Sequence, residues 1–253
     1  MRDKRFFSDE WYADKYDYQN EDSILTYSKK LEGKTLRDVL SESEVKEIEN
    51  DELDKGEFGK ILERYYFGLE LNSSPEPDFS DIGLELKVTP CKVNNKKQLI
   101  SKERLVLNII NPFDIVKETW ESSSFLKKNN RILLLRYICP MNPDDNGKVD
   151  YSVSKLDYKF INISIHVMKN SLFIKEIKKD WEYIFNKINE GRPDLLSEKY
   201  TSYMGPCPKG RDKKSKRNYP NFTEKYMQRA FALKTNYMNI LLMDSDIISN
   251  WKK

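Results

Sequence analysis

PEPDFSDIGLELK, Pro75 to Lys87, decides the reading of this chain, because within it the pattern turns from loop to strand. Asn72, Ser73, Ser74, Pro75 and Pro77 cluster as helix breakers. From Ile82 the period becomes two: Leu84, Leu86 and Val88 alternate with Glu85, Lys87 and Thr89, which predicts a strand with one buried face. Glu85 and Lys87 then project from the same, exposed face. Leu86 between them points into the core and leaves its carbonyl as a possible oxygen ligand. Asp78 lies beyond the Pro77 turn and Gly83, where a bend brings its carboxylate beside Glu85.

Outward toward the N-terminus, Phe58, Leu62, Tyr65 and Leu69 recur at i, i+4, i+7 and i+11, which predicts a helix over Glu57–Leu69. Helices are also expected near Ser23–Leu31 and Thr35–Leu40, with Ser41–Glu49 as a polar continuation. Residues 1–21 are charged and aromatic without a clean period and read as an N-terminal arm. Toward the C-terminus, Arg104–Ile110, Arg131–Ile138 and Phe160–Val167 read as strands, and Pro112–Trp120 as helical. Met141–Lys148 (MNPDDNGK) is a turn. Ile174–Asn189 is an amphipathic helix ended by Gly191 and Pro193. A short strand near Tyr200–Met204, a loop rich in Pro, Gly and Lys, and a helix near Thr235–Ser249 complete the chain. Neither an internal repeat nor a linker is visible. This order predicts an α/β fold, a central mixed sheet flanked by helices, with residues 22–253 as one domain and 195–253 as its C-terminal part.

The composition excludes more than it selects. With 44 Lys+Arg against 41 Asp+Glu, the net charge of +3 names no partner by itself. The three cysteines, Cys91, Cys139 and Cys207, form no CxxC pair, so a disulfide framework or structural zinc site is not expected. MRDKRFFSDEW lacks the apolar core of a signal peptide, and no long apolar run follows. A soluble cytoplasmic protein without a membrane partner is expected. His166 is the only histidine, which excludes multi-histidine metal centres, and its place in an alternating strand gives no support to a Ser-His-Asp triad. It reads as a polar-face strand residue. Catalysis must rest on carboxylates, lysine and a hard cation.

Hydrolysis of a phosphodiester needs a nucleophilic water and a neutralised dianionic transition state. A cation held by carboxylate oxygens supplies both, and a nearby lysine can orient or deprotonate the water. Asp78, Glu85 and Lys87 offer these parts, although a solvent-facing Glu-x-Lys and a Pro-Asp turn also occur by accident. Glu63, on the preceding helix, is either a third acid or a solvated residue flanking the apolar stripe. Pro206–Arg217 (PCPKGRDKKSKR) follows Tyr200 and Tyr203 and gathers Lys209, Arg211, Lys213, Lys214, Lys216 and Arg217 around Asp212. Such a loop suits phosphates and guanine edges, or is simply a solvated basic loop. Trp120, Trp181, Tyr65 and Tyr66 read as core, and Glu49–Asp54 as a solvated helix end.

Five longer segments carry a resemblance: KGEFGKILERYYFG (Lys55–Gly68), PEPDFSDIGLELKVTP (Pro75–Pro90), SKERLVLNIIN (Ser101–Asn111), LSEKYTSYMGPCPKG (Leu196–Gly210) and AFALKTNYMNILL (Ala230–Leu242). Together they resemble the MutH-type endonucleases, a family holding a mismatch-repair nicking enzyme and type II restriction endonucleases that recognise 5'-GATC. The second and third segments are closer to the restriction branch, and the likeness covers most of the chain from about residue 22. It implies a restriction-endonuclease-like (PD-(D/E)xK) core. It also implies a Mg2+ held by Asp78, Glu85, the Leu86 carbonyl and a supporting Glu63, with Lys87 activating water. The stretch from Glu63 to Asp78 is slightly longer than in some relatives. Lys55 matches a position near the DNA backbone, and Lys209 and Gly210 match a base-reading loop that Tyr203, Arg211, Lys214 and Arg217 flank. Lys234 is DNA-facing or a plain surface lysine. Lys102 and Arg104, opening a strand beside that of Glu85, touch phosphate or pair with Glu103 and other acids.

The resulting expectation is a type II enzyme cutting double-stranded DNA at or near 5'-GATC, with a second copy on the palindrome or with sequential nicks. Its alternatives are a hemimethylation-directed nickase, a DNA-binding module without chemistry and, remotely, a ribonuclease. Some restriction-branch relatives carry a second, similar domain that this sequence lacks, so it corresponds to a catalytic part or to a short enzyme.

Overall fold

The computed structural model describes residues 9–50, 58–71, 74–142, 148–210 and 215–243. In chain order they form helices α1 (Asp9–Ala13), α2 (Glu21–Lys29), α3 (Glu42–Asn50) and α4 (Phe58–Ile61), the last continued by a π-helical turn, Leu62–Tyr66. Strands β1 (Leu84–Val93), β2 (Leu99–Ser101) and β3 (Leu105–Ile109) follow, then helices α5 (Pro112–Ile115) and α6 (Ser124–Asn129) and strands β4 (Arg131–Ile138) and β5 (Lys159–Val167). The C-terminal part holds α7 (Ile174–Asn189), β6 (Met204–Pro208), β7 (Lys216–Arg217), β8 (Tyr226–Met227), β9 (Arg229–Leu233) and α8 (Thr235–Ile240). The chain is α/β, and it divides into two compact units. One is built from the residues up to Lys102, Arg131–His166 and the stretch from Leu242; the other from Glu103–Asn130 and Val167–Leu241.

The first unit is built on a mixed sheet in the order β2-β1-β4-β5. β1 runs antiparallel to β2 only at Cys91–Val93, and parallel to β4 from Leu84 opposite Arg131 to Cys91 opposite Ile138. One sheet face, with Leu84, Leu86, Leu133 and Leu135, packs against Ile24, Leu31, Leu62 and Phe67 in a single core. Alternation therefore puts Glu85, Lys87 and Thr89 on the other face. That face is not the solvated one expected from the pattern. Glu85 and Thr89 are each 1 % exposed, and Arg136, the β4 partner of Thr89, is also buried.

Several local expectations give way to local chemistry. Residues 1–8 of the expected arm lie outside the described residues, but Tyr12 and Tyr16 are buried in the first unit's core. Thr35–Leu40 is a turn, not a helix. Thr35 N–H and Oγ1 both donate to Asp38 Oδ2, and Asp38 N–H donates back to Thr35 Oγ1, so the side chains compete with the helical ladder. A separate helix, α3, starts after Ser41, whose hydroxyl accepts from Glu44 N–H while Glu44 accepts from Ser41 N–H, a capping box. Pro112–Trp120 is helical only to Ile115, and α6 begins where Ser123 Oγ accepts from Leu126 N–H.

The second unit holds an antiparallel sheet, β3-β9-β6, and a β7–β8 ribbon. β9 is its central strand, with Ala230–Leu233 fully buried. β3 therefore is not beside the strand of Glu85, as expected for the SKERL segment; the neighbour of β1 there is β2. Leu105 and Leu107 are buried against this other sheet, and Lys102–Arg104 form a bend between the two strands. The strand expected at Tyr200–Met204 starts only at Met204, because Glu198–Tyr200 is a 3-10 turn. α7 buries Ile177, Trp181, Ile184 and Ile188, as its periodicity predicts, and Gly191 ends it at a positive φ of 67°.

On β5, burial and then the charge of Arg136 push the ring of His166 down to about 4 from an ordinary 6.5. Arg136 itself donates Nη1 to Asn162 Oδ1 (2.6 Å) and Ser164 Oγ (3.0 Å). Because the folded chain favours the neutral ring, the unfolded chain binds the extra proton between those two pH values. The stabilisation is complete above pH 6.5 and is lost as pH falls toward 4. Resistance to urea unfolding is expected to weaken by up to about 1.4 kcal/mol per pH unit across that window, and His166→Gln to flatten the dependence. Identical pH slopes for the two proteins would rule the assignment out.

Candidate active site

The site grows from a tight hairpin. Phe79 N–H donates to Leu84 O (2.9 Å) and Leu84 N–H to Phe79 O (3.2 Å), closing the turn through Ser80–Gly83. Gly83 sits at φ +66°, and a Cβ added there would meet nothing within 4 Å, so conformation and not space asks for glycine. Closing this turn sets Asp78 beside β1. Its Oδ2 accepts from Leu86 N–H (2.9 Å), while its own N–H donates to Glu85 Oε2 (3.2 Å). The two carboxylates are thus fixed by each other's neighbouring backbone before any ligand arrives. Lys87 Nζ donates to Glu85 Oε1 at 2.5 Å, and its side chain is 22 % exposed.

Burial alone would lower the Lys87 ammonium, but the charges of Glu85 and Asp78, the hydrogen bond to Glu85 and the charge of Glu63 together carry it above its ordinary value. Four sequence candidates, Glu63, Asp78, Glu85 and Lys87, are therefore electrostatically one group.

Leu86 extends the donor set. In an extended strand the N–H and C=O of one residue point to the same edge. Leu86 N–H turns to Asp78, so its carbonyl turns to that edge too, away from β4, and β2 does not reach this part of β1. Two carboxylates and a backbone carbonyl converge there. Among the described residues no three His, Cys, Asp or Glu side chains cluster as metal ligands. A cation that keeps several waters and takes one or two carboxylates, as Mg2+ does, fits this oxygen set; a zinc-like ion needing four protein ligands does not.

Glu63 comes from the π-helical turn that follows α4, not from the uninterrupted helix that the apolar period suggests. Phe58, Leu62, Tyr65 and Leu69 are still buried, yet the widened turn also buries Tyr66 and Phe67 and leaves Glu63 partly exposed. Single π turns are frequent where a helix serves a site. Lys55, expected near DNA, lies outside the described residues.

The remaining candidates are spread over both units. Lys102 stays with β2, its N–H on Pro90 O (2.9 Å) and its Nζ over the Tyr151 ring at 5.6 Å. Arg104 forms an ion pair with Glu198. Lys209 and Gly210 are exposed just after β6, and Lys209 N–H donates to Gln228 O (2.9 Å). Arg217 lies on β7 and holds Gln228, while Arg211 and Lys214 lie outside the described residues. Lys234 serves the fold, since its Nζ donates to Glu198 O (3.0 Å) and Thr201 O (2.6 Å). Tyr203 packs its ring on Phe173 and Tyr237.

Sequence reasoning missed Asp180. It is 4 % exposed and accepts from Ser202, Tyr203 and Met204 N–H at 2.7, 2.7 and 2.8 Å, anchoring the start of β6. Its signal was an acid at i+3 from Ile177, within the apolar stripe of α7.

Residues 67–158 match the family model described as MutH, DNA mismatch repair enzyme. Over 226 residues the chain is 37% identical to the type II restriction enzyme Sau3AI of Staphylococcus aureus, covering 89% of this chain and 43% of that protein. It is 27% identical over 194 residues to the DNA mismatch repair protein MutH of Shewanella woodyi, covering 77% of each, and 24% identical over 233 residues to that of Escherichia coli O6:K15:H31, covering 88% and 92%. The chain spans less than half the length of the restriction-enzyme relative. Residues 67–158, which hold the hairpin and strands β1 to β4, are thus similar to the MutH family, whose domain has a restriction-endonuclease-like fold, and most of the chain is similar to both kinds of relative.

Proposed function

We propose that this chain is a type II site-specific deoxyribonuclease that hydrolyses double-stranded DNA at or near 5'-GATC with Mg2+. The observation that carries this reading is the reciprocal lock between Asp78 and Glu85, with Lys87 beside them on the same hairpin. Asp78, Glu85 and the Leu86 carbonyl would hold the cation, with Glu63 as supporting acid. When bound, the cation supplies charge for the transition state and acidity for a water. Lys87, as an ammonium, would orient the attacking water by donating a hydrogen bond to it. Burial of Glu85 keeps bulk water from the inner side of the site, which strengthens each of these charges.

DNA contacts fall to Lys209 and Gly210, flanked by Arg217, Tyr203, Arg211 and Lys214, with Lys102, Arg104 and Lys55 toward the backbone. Lys234 supports the fold of that region and ranks below these for base contact. Cutting both strands with one such site per chain requires a second copy on the palindrome or two successive nicks. The 37% identity to a protein named as a type II restriction enzyme supports the double-strand reading. The fuller coverage of the MutH relatives favours a second reading, a strand-nicking repair endonuclease.

Incubating the protein with supercoiled plasmid carrying GATC sites distinguishes them. Fragments bounded by GATC with Mg2+, and none with EDTA, are expected. Nicked circles alone would support the repair reading, and a mobility shift without cleavage would sink both in favour of a binding module.

A further inference from the structure

The N-terminal tyrosines place three hydroxyls on three consecutive backbone carbonyls. Tyr27 Oη donates to Tyr66 O (3.1 Å), Tyr16 Oη to Phe67 O, and Tyr12 Oη to Gly68 O. Tyr66 Oη returns a bond to Tyr27 O (3.0 Å), and the Tyr27 ring stacks on Tyr66 (4.6 Å) and on Tyr16 (4.8 Å). All four tyrosines are buried. Those carbonyls lie at the end of the π turn that carries Glu63, where a helix leaves its acceptors without intrahelical donors.

Three further contacts tie this end to the site. Leu69 N–H, just past the held carbonyls, donates to Glu63 O at 2.8 Å. Phe67 packs edge-on against Phe79 (6.0 Å), the residue after Asp78, and Tyr16 reaches the same ring (6.4 Å). A shift at Phe67 is therefore felt at the Glu63 backbone and at the Asp78 turn together.

We propose that Tyr12, Tyr16 and Tyr27 are positioning residues for the cation site, fixing Glu63 relative to Asp78 and Glu85 through the carbonyls of Tyr66, Phe67 and Gly68. This rests on the endonuclease reading above. A hydroxyl that only stabilised the fold would move the unfolding midpoint and leave cation affinity alone. A positioning hydroxyl moves cation affinity, and its effect disappears once Glu63 has lost its charge.

The test uses Tyr16→Phe and Tyr27→Phe, which keep the rings, alone and in a Glu63→Gln background. Mg2+ and Ca2+ binding is measured by calorimetry in the presence of GATC duplex, beside the Mg2+ dependence of cleavage and the KM for DNA. The expected result is a five- to twentyfold rise in both the cation Kd and the Mg2+ concentration for half-maximal cleavage, with KM for DNA changed less than twofold. In the Glu63→Gln background the tyrosine changes add nothing further. Unchanged cation affinity in the tyrosine variants, or an equal loss with and without the Glu63 charge, overturns the positioning role while cleavage by the unmutated protein upholds the endonuclease reading. An unmutated protein that binds neither cation overturns both.

Discussion

Lys87→Ala is expected to lower cleavage of GATC-containing DNA by about a thousandfold or more at saturating Mg2+, while affinity for the duplex measured with Ca2+ stays within about threefold. Lys87 donates its ammonium to Glu85 on the hairpin, and the fields of Asp78 and Glu63 also bear on it. In the proposed reaction a group placed there acts on the reacting atoms and not on duplex affinity, so kcat carries the loss. Lys87→Arg is expected to restore little, because a planar guanidinium does not fit a point-charge position. Removing the ammonium also costs stability, since Glu85 is 1 % exposed and loses a charged partner. That cost is about 3 kcal/mol or less, as Asp78 N–H still donates to the carboxylate. A Lys87→Ala protein with intact duplex binding and more than a tenth of native kcat would remove Lys87 from the chemistry.

Much of this site is legible in the sequence alone. Leu84, Leu86 and Val88 announce β1 because a period of two reflects only the pleat and one apolar layer. Proline and glycine at 77 and 83 announce the hairpin because backbone dihedrals are local. What the pattern misjudges is the polar face. Alternation distinguishes two faces but says nothing of what covers the second, and here Glu85, Thr89 and Arg136 are buried. The π turn at Leu62–Tyr66 is equally hidden, since its apolar residues satisfy the α-helical period before the extra residue widens it.

Long-range pairing is the other blind spot. β3 reads as a strand from Leu105 and Leu107, but nothing in SKERL tells whether it joins β1 or β9. AFAL in β9 is too short for periodicity to separate strand from helix, and its burial comes entirely from partners distant in sequence. Tyr12 and Tyr16 look like part of an irregular arm, and Tyr27 like an ordinary helix residue, for the same reason. Their acceptors, the carbonyls of Tyr66 to Gly68, are far along the chain, with 39 residues separating Tyr27 from Tyr66 and 56 separating Tyr12 from Gly68.

Asp180→Ala is expected to destabilise the protein by roughly 3–5 kcal/mol, the largest stability loss expected of a single polar substitution in the second unit. The carboxylate is 4 % exposed and takes three backbone N–H groups, and Met204, the last of them, is fully buried. Truncation leaves those donors without their acceptor and opens a gap against α7. Charge-assisted bonds to a carboxylate are about twice as strong as neutral ones. Asp180→Asn keeps one acceptor oxygen and should cost about half as much. Function should suffer in a different kinetic constant from Lys87→Ala. Residues 202–204 lead into β6, whose end presents Lys209, so a loosened start is expected to raise KM for GATC duplex about tenfold while kcat at saturating DNA changes little. Urea unfolding monitored by tryptophan fluorescence reads the first effect and steady-state cleavage the second. A stability loss below about 1 kcal/mol would mean that solvent replaces Asp180 at all three amides. A fall in kcat with unchanged KM would remove the loop after β6 from the proposed DNA contacts.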